Sequence, residues 1–417
     1  MSGSENSQKP STDFRFFAWL LIPSLLLLFV WVSESQPKTE RNVDFIYFYM
    51  AGQILCHFPP ARLYDIKLQQ SVCQALHPFS GHTAHYGYFS YPPFVALLFM
   101  PFAHFSFWTA YRAWQVLNLG LYGGGIALLS KRFLSEESVY FVLLLAISFC
   151  PFLGDTWING QFSVCGFLGI TFALCAQQRE RDLQSGLTLS LCLYKPTLLL
   201  LLFPLIVATK QIRILYGLVL GGALLFLTTL LLLGEQVWWS YVRFLPSFQK
   251  MEELRPLEKY TDLIAFFSLL TRGRYAVALT LLCAAVALSI LFSCAQRITT
   301  KPVLLWTTAI TWTLLLNFYV PVYDTILLLP SVIASTGFLA LTHSRATKIM
   351  VTNLFLASWL SPALLSATRL QFLSIAIAAF GVWQFRFCLR PITRSGAAVL
   401  AERLPRVIGD RPSSIRK

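Results

Sequence analysis

Charge is what this chain has least of. Only 12% of its 417 residues are Asp, Glu, Lys or Arg, against about 25% in an ordinary soluble domain, and a water-exposed surface of normal composition is excluded. Catalytic signatures of soluble enzymes are missing too. There is no Walker loop, no dinucleotide-binding glycine pattern, no nucleophile elbow and no HExxH zinc motif. The nine cysteines form no CxxC and no paired spacing; most lie in apolar runs, where a thiol behaves as a small hydrophobe. Cys56 and Cys73 alone share a polar stretch and leave one disulfide open. His77, His82 and His85 are grouped, but no Asp, Glu or Cys stands at ligand spacing beside them, so the expectation is no metal.

What is present is apolar. The chain is 56% hydrophobic with a mean hydropathy of +0.61, and its long runs recur from end to end. This predicts an all-α polytopic membrane protein of about twelve transmembrane helices. The runs are 14–32, 107–130, 139–153, 162–177, 183–194, 196–208, 212–233, 274–295, 302–320, 323–341, 348–366 and 370–387. The first is read as a retained helix and not a cleaved signal, since no small-residue cleavage site follows it. Residues 91–105, with Pro92, Pro93 and Pro101, read as re-entrant; residues 183–208 read as two short helices broken at Lys195-Pro196.

The net charge of +14 is placed where a membrane topology wants it. Lys131-Arg132, Arg179 with Arg181, Lys210 with Arg213, Arg297 with Lys301, and Arg345 with Lys348 punctuate alternate connections, as the positive-inside rule expects of cytoplasmic loops. The organisation that follows is a tail at 1–13, one transmembrane domain at 14–390 and a basic cytoplasmic tail at 391–417. That tail suits anionic lipid, so membrane lipids are expected partners and nucleic acid is not. An outer loop at 33–106 carries interfacial helices, and a second lies at 234–273. Asp44, Asp155, Lys195 and Asp324 then share the outer face.

Each polar group on that face has a plain structural reading beside a chemical one. Asp44 opens "DFIYFYMAGQIL", an aromatic segment expected to lie in the interface, and an acid there suits a helix cap as well as a catalytic base. Tyr64 closes "PARLY", and Tyr91 leads a Tyr-Pro-Pro turn into an apolar run. In "DTWINGQF", Trp157, Asn159 and Gln161 could hold a sugar, or form a belt-tryptophan loop. Lys195 is an intramembrane cation, suited to an anionic partner or to snorkelling. Trp238, Trp239, Tyr241 and Arg243 suit headgroups or carbohydrate, and Asp324 in "YVPVYDTILLLP" suits a cap or catalysis.

The order of these pieces is informative. An early Asp is followed by "YFYMAGQIL", "LYD", "YPPF…MPF", Trp114 with Asn118, "NGQF", "SGLTLSLCLYKP" and a late "YD" over residues 40 to 330. The series resembles glycosyltransferase family 87, whose members use polyprenyl-phosphate sugars and have the GT-C fold. The resemblance implies a GT-C-type bundle and transfer of mannose or a related hexose from a polyprenyl-phosphate donor to a lipid or glycan acceptor. It implies inversion, no cofactor, and a multi-pass protein of a bacterial inner membrane with its site toward the periplasm. Asp44 takes the position of the general base. Lys195, then Arg243, are the expected phosphate contacts, with Tyr91, Asn159, Gln161, Tyr64 and Asp324 as further substrate-binding positions. The alternatives are a lipid-linked-glycan flippase, which should show inverted repeats with matched broken helices, and a polysaccharide polymerase or ligase.

Overall fold

The computed structural model describes residues 43–76, 88–134, 142–143, 145–252, 256–297, 302–338 and 345–389. Fifteen α-helices are placed among them: α1 Phe45–His57, α2 Ile66–Leu76, α3 Pro93–Phe99, α4 Phe107–Phe133, α5 Ser163–Gln177, α6 Asp182–Leu189, α7 Leu202–Ala208, α8 Ile212–Leu233, α9 Gln236–Glu252, α10 Leu263–Thr271, α11 Ala276–Arg297, α12 Pro302–Leu316, α13 Leu328–Phe338, α14 Arg345–Thr368 and α15 Phe372–Leu389. The only β pairing among the described residues is a bridge between Tyr260 and Pro321.

Only four of these helices, α8, α11, α14 and α15, are long and apolar enough to cross a membrane, and the expected bundle of about twelve spans with the GT-C architecture is thereby overturned. In α8, α11 and α14 between 22% and 28% of the apolar window is buried inside the protein, so most of it faces outward, and in α15 half is buried. α12 and α5 are the reverse. Each has fifteen residues, of which fourteen and thirteen respectively are buried against other protein. At 1.5 Å per residue, fifteen residues rise about 22 Å, short of a hydrocarbon core of about 30 Å. Their hydropathy comes from the interior of the fold.

Other expected spans are broken outright. The chain through 183–208 is α6, two 3₁₀ turns at Ser190–Tyr194 and Pro196–Leu199, and the short α7. Residues 323–338 begin in a 3₁₀ turn at Val322–Leu327. The run at 139–153 ends in a π-helical segment, Pro151–Ile158. α4 has the length to span, with 27 residues, but carries Arg112, Gln115 and Asn118 in its interior and is not among the four. The run at 14–32, the histidines at 77–85 and both tails lie outside the described residues.

The segment after Asp44, expected to lie in the interface, is likewise not an interfacial helix. α1 buries nine of its thirteen residues, with Phe45, Met50, Ala51 and Ile54 fully enclosed. It is a core helix, and its aromatic residues pack: Phe48 stacks on Phe99 at 4.9 Å and lies 5.2 Å from Tyr91. α8 meets α6 where Gly217 and Gly186 face each other. A Cβ on Gly186 would overlap the Ile214 carbonyl oxygen, so only glycine allows the backbones this close. Thr308 and Thr311 of α12 are buried with their hydroxyls returned to the helix, where Thr308 donates to the Leu304 carbonyl at 2.7 Å and Thr311 to that of Thr307 at 3.0 Å.

Candidate active site

Asp44 precedes α1 with helical backbone angles (φ −64°, ψ −17°), and its side chain makes no capping hydrogen bond. A capping residue would sit in the extended region and accept from the first turn. The carboxylate turns away instead and accepts from Gln161 Nε2 at 2.6 Å. The backbone at the start of α1 is anchored on the same segment, where Phe45 N–H donates to the Asn159 carbonyl at 2.8 Å. Gly160 makes this junction. Its φ is +72°, and a Cβ there would lie 2.7 Å from Phe45 Cβ. Trp114 Nε1 holds the Gly160 carbonyl at 2.9 Å, and Asn118 Nδ2 donates to the carbonyls of Thr156 and Gln161 at 3.2 and 3.1 Å. Asp44 and Gln161, 117 positions apart, thus form one fixed pair.

This pair opens on a cavity of about 1730 Å³. Asp44, Tyr91, Asp155, Asn159 and Gln161 are among the residues lining it, as are Lys259, Arg272 and Arg369 from the later helices. Tyr91 Oη donates to Gln161 Oε1 at 3.5 Å, and Asn159 Nδ2 to Asp155 Oδ1 at 3.4 Å. Burial holds the Asp44 carboxyl above the ordinary range, while the Gln161 hydrogen bond and the Lys259 charge draw it down. Asp155 is pushed up to about 6, first by burial and then by the Asp44 charge, with Lys259 and Asn159 opposing. A carboxylate in that condition is a better proton acceptor than a solvated one.

Lys195 and Asp324, expected as a phosphate contact and a substrate contact, are each other's partners. Asp324 is fully buried and also accepts from Ser163 Oγ at 2.6 Å; Lys195 Nζ forms the salt bridge, with 10% of its side chain exposed. Nζ lies 4.0 Å from the Tyr319 ring centre and 5.9 Å from that of Tyr323. Both tyrosines line the cavity, so the ion pair stands behind its wall and not in it.

Tyr64 is buried, and its hydroxyl holds the Tyr91 carbonyl at 2.6 Å, a supporting position. Arg243 is exposed on α9 and does not line the cavity. Trp157 turns away to donate to the Gln115 carbonyl at 3.0 Å. Cys56 and Cys73 are free thiols, and among the described residues no three His, Cys, Asp or Glu side chains are grouped to hold a metal ion.

Lys259, Arg272 and Arg369 escaped sequence reasoning because each has only the appearance of a helix-end cation. Asp262 was missed as well. It is fully buried, caps α10 through Ala265 N–H at 2.9 Å and also accepts from Val320 N–H at 3.1 Å, fixing the wall that carries Lys259 and Tyr319. The "D" before "LIAFF" was the available signal.

A family model described as glycosyltransferase family 87 matches residues 89–320, more than half of the chain. The match takes in Tyr91, Asp155, Asn159, Gln161, Lys195 and Lys259; Asp44 and Asp324 lie beyond its two ends. No curated protein and no solved structure matches.

Proposed function

Since this chain belongs to glycosyltransferase family 87 and carries four membrane-length helices, we propose that it is a membrane glycosyltransferase whose donor is a polyprenyl-phosphate sugar, mannose or a related hexose, and whose base is Asp44. The acceptor is the hydroxyl of a lipid or glycan, reached on the outer face of a bacterial inner membrane. The single observation that carries this reading is the Asp44 carboxylate, oriented by Gln161 at 2.6 Å on the wall of a cavity large enough for both substrates.

The chemistry is one displacement. As the acceptor oxygen attacks the anomeric carbon, Asp44 takes its proton, and the bond to the phosphate oxygen breaks with both electrons leaving on the polyprenyl phosphate. Configuration at the anomeric carbon inverts, because attack and departure occur on opposite faces. A phosphate monoester leaves without protonation, so one carboxylate suffices. Base catalysis of this kind contributes about 10²–10⁴-fold. Asp155 and Asn159 supply an acceptor–donor pair of the kind sugar hydroxyls require, and Tyr91 supplies a ring beside them. The lipid-borne donor explains why an enzyme acting on polar sugars has so little polar surface.

Radiolabelled polyprenyl-phosphate mannose in membranes tests the reading, with wild type compared with Asp44→Asn. Transfer should fall by about 10²–10⁴-fold. Transfer that survives the substitution removes Asp44 as the base; a wild type that consumes no polyprenyl-phosphate sugar with any acceptor removes the donor class.

A further inference from the structure

Departure of a polyprenyl phosphate calls for cations beside the phosphate, and the two foreseen in the sequence are elsewhere. Lys195 is held by Asp324, and Arg243 lies outside the cavity. Lys259, Arg272 and Arg369 line it, all with exposed side chains. Among the described residues none of the three makes a salt bridge or a side-chain hydrogen bond. Three acids also line the cavity: Glu258, next to Lys259 in the chain, and Asp44 and Asp155, whose carboxyls the Lys259 charge draws down.

Their position along the chain is also a position in depth. Arg272 follows the last turn of α10 and precedes α11, which begins at Ala276; Arg369 occupies the turn between α14, ending at Thr368, and α15, beginning at Phe372. Both arginines therefore stand at ends of membrane-length helices, the level at which phosphate groups of lipids lie. Both have left-handed backbones, with φ of 53° and 60°. The 369–371 turn is tied to the Lys259 loop: Gln371 Nε2 donates to the Glu258 carbonyl at 3.3 Å, and Ser374 Oγ to that of Thr261 at 2.8 Å.

From that level the cavity continues along α14, where Leu365, Pro362, Ser361 and Ser358 line it. From Ser358 to Arg369 is about 16 Å of helix, roughly half the thickness of a hydrocarbon core. A cavity with cations at its surface end and a path into the depth of a membrane helix fits an amphiphile with an anionic head and a long apolar chain. A free sugar phosphate would need no such depth.

We propose that Lys259, Arg272 and Arg369 form the subsite for the phosphate of an isoprenoid-phosphate ligand, with its chain lying along α14. The proposal rests on the donor class assigned above and adds the residues that hold it. Positive residues flanking a span also meet anionic phospholipid headgroups, so the shared chemistry is a lipid phosphate, and the two sources must be told apart.

The test is binding of a radiolabelled long-chain polyprenyl phosphate, without sugar, to the full-length chain in nanodiscs of zwitterionic lipid. Arg272→Asn and Arg369→Asn are the variants, since asparagine accepts the left-handed backbone. Each should weaken binding about tenfold, the effect of losing one charge-assisted contact. Arg274→Asn, two residues along, exposed and not lining the cavity, should stay within about twofold. Phosphatidylglycerol added to the nanodisc should not displace the ligand. Wild-type affinity in the Arg272 and Arg369 variants, equal loss in Arg274→Asn, or displacement by phosphatidylglycerol would each overturn the subsite. A wild type that binds no polyprenyl phosphate would instead overturn the donor class itself.

Discussion

Breaking the Lys195–Asp324 pair should be costly from one side and nearly harmless from both. Asp324 is fully buried, and its carboxylate is met by Lys195 Nζ and Ser163 Oγ. Lys195→Met leaves a buried carboxylate with one hydroxyl, and removal of one partner from a buried pair costs about 3–5 kcal/mol. Lys195→Met combined with Asp324→Asn leaves two neutral groups. The introduced amide oxygen can still accept from Ser163, and the remaining loss is the cation–π contact to Tyr319, about 1 kcal/mol. The coupling between the two positions should therefore be at least about 2 kcal/mol. Thermal unfolding in detergent is the assay: the single variant should melt several degrees below wild type, and the double variant should recover most of that difference. Polyprenyl-phosphate binding, measured on the double variant, should be retained. If Lys195→Met melts like Lys250→Met, an exposed control on α9, or if the double variant melts no higher than the single, the pair does not brace the wall. If the double variant is stable and cannot bind donor, Lys195 is a phosphate ligand after all.

Three further outcomes are expected. Asp155 is raised from 3.8 to about 6, so its ionisation above pH 6 is opposed by the folded state; Asp155→Asn should stabilise the protein by about 1–3 kcal/mol at pH 8, the upper figure discounted because the group faces a cavity, and by nothing below pH 4, read as melting temperature against pH. A gain at pH 4 or a loss at pH 8 contradicts the assigned cause. Lys259 draws the Asp44 and Asp155 carboxyls down, so Lys259→Gln should move the acid limb of the transfer rate, at saturating donor, to higher pH; an unmoved limb separates Lys259 from Asp44. Gly160→Ala places a Cβ 2.7 Å from Phe45 Cβ at a φ of +72°, and should cost about 2 kcal/mol and lower transfer by displacing Asp44, whereas Gly154→Ala, with nothing near its Cβ, should be mild.

Local features were legible to different depths. The aromatic segment after Asp44 marked a helix correctly, but its surroundings were misread: propensity cannot distinguish a helix that lies at an interface from one that fills a core when both faces are aromatic. "NGQF" marked a turn that does position polar groups, and Gly160 is the residue that requires it. The Lys195-Pro196 junction is a break, with Lys195 in a non-helical conformation between two 3₁₀ turns. The partner of Lys195, 129 residues away, was beyond any spacing rule.

Composition alone determined that this is a helical chain at home in a membrane, and the order of its short motifs determined its family. Both follow from residue types that need no partner to be recognised. Which apolar runs meet lipid and which meet protein was decided only by the tertiary structure, because hydropathy records exclusion from water without saying what does the excluding. The same holds for charge. Asp44, which the sequence left as either a cap or a base, is turned from its own helix by Gln161, and Lys195 ceased to be a free cation when the fold set Asp324 against it.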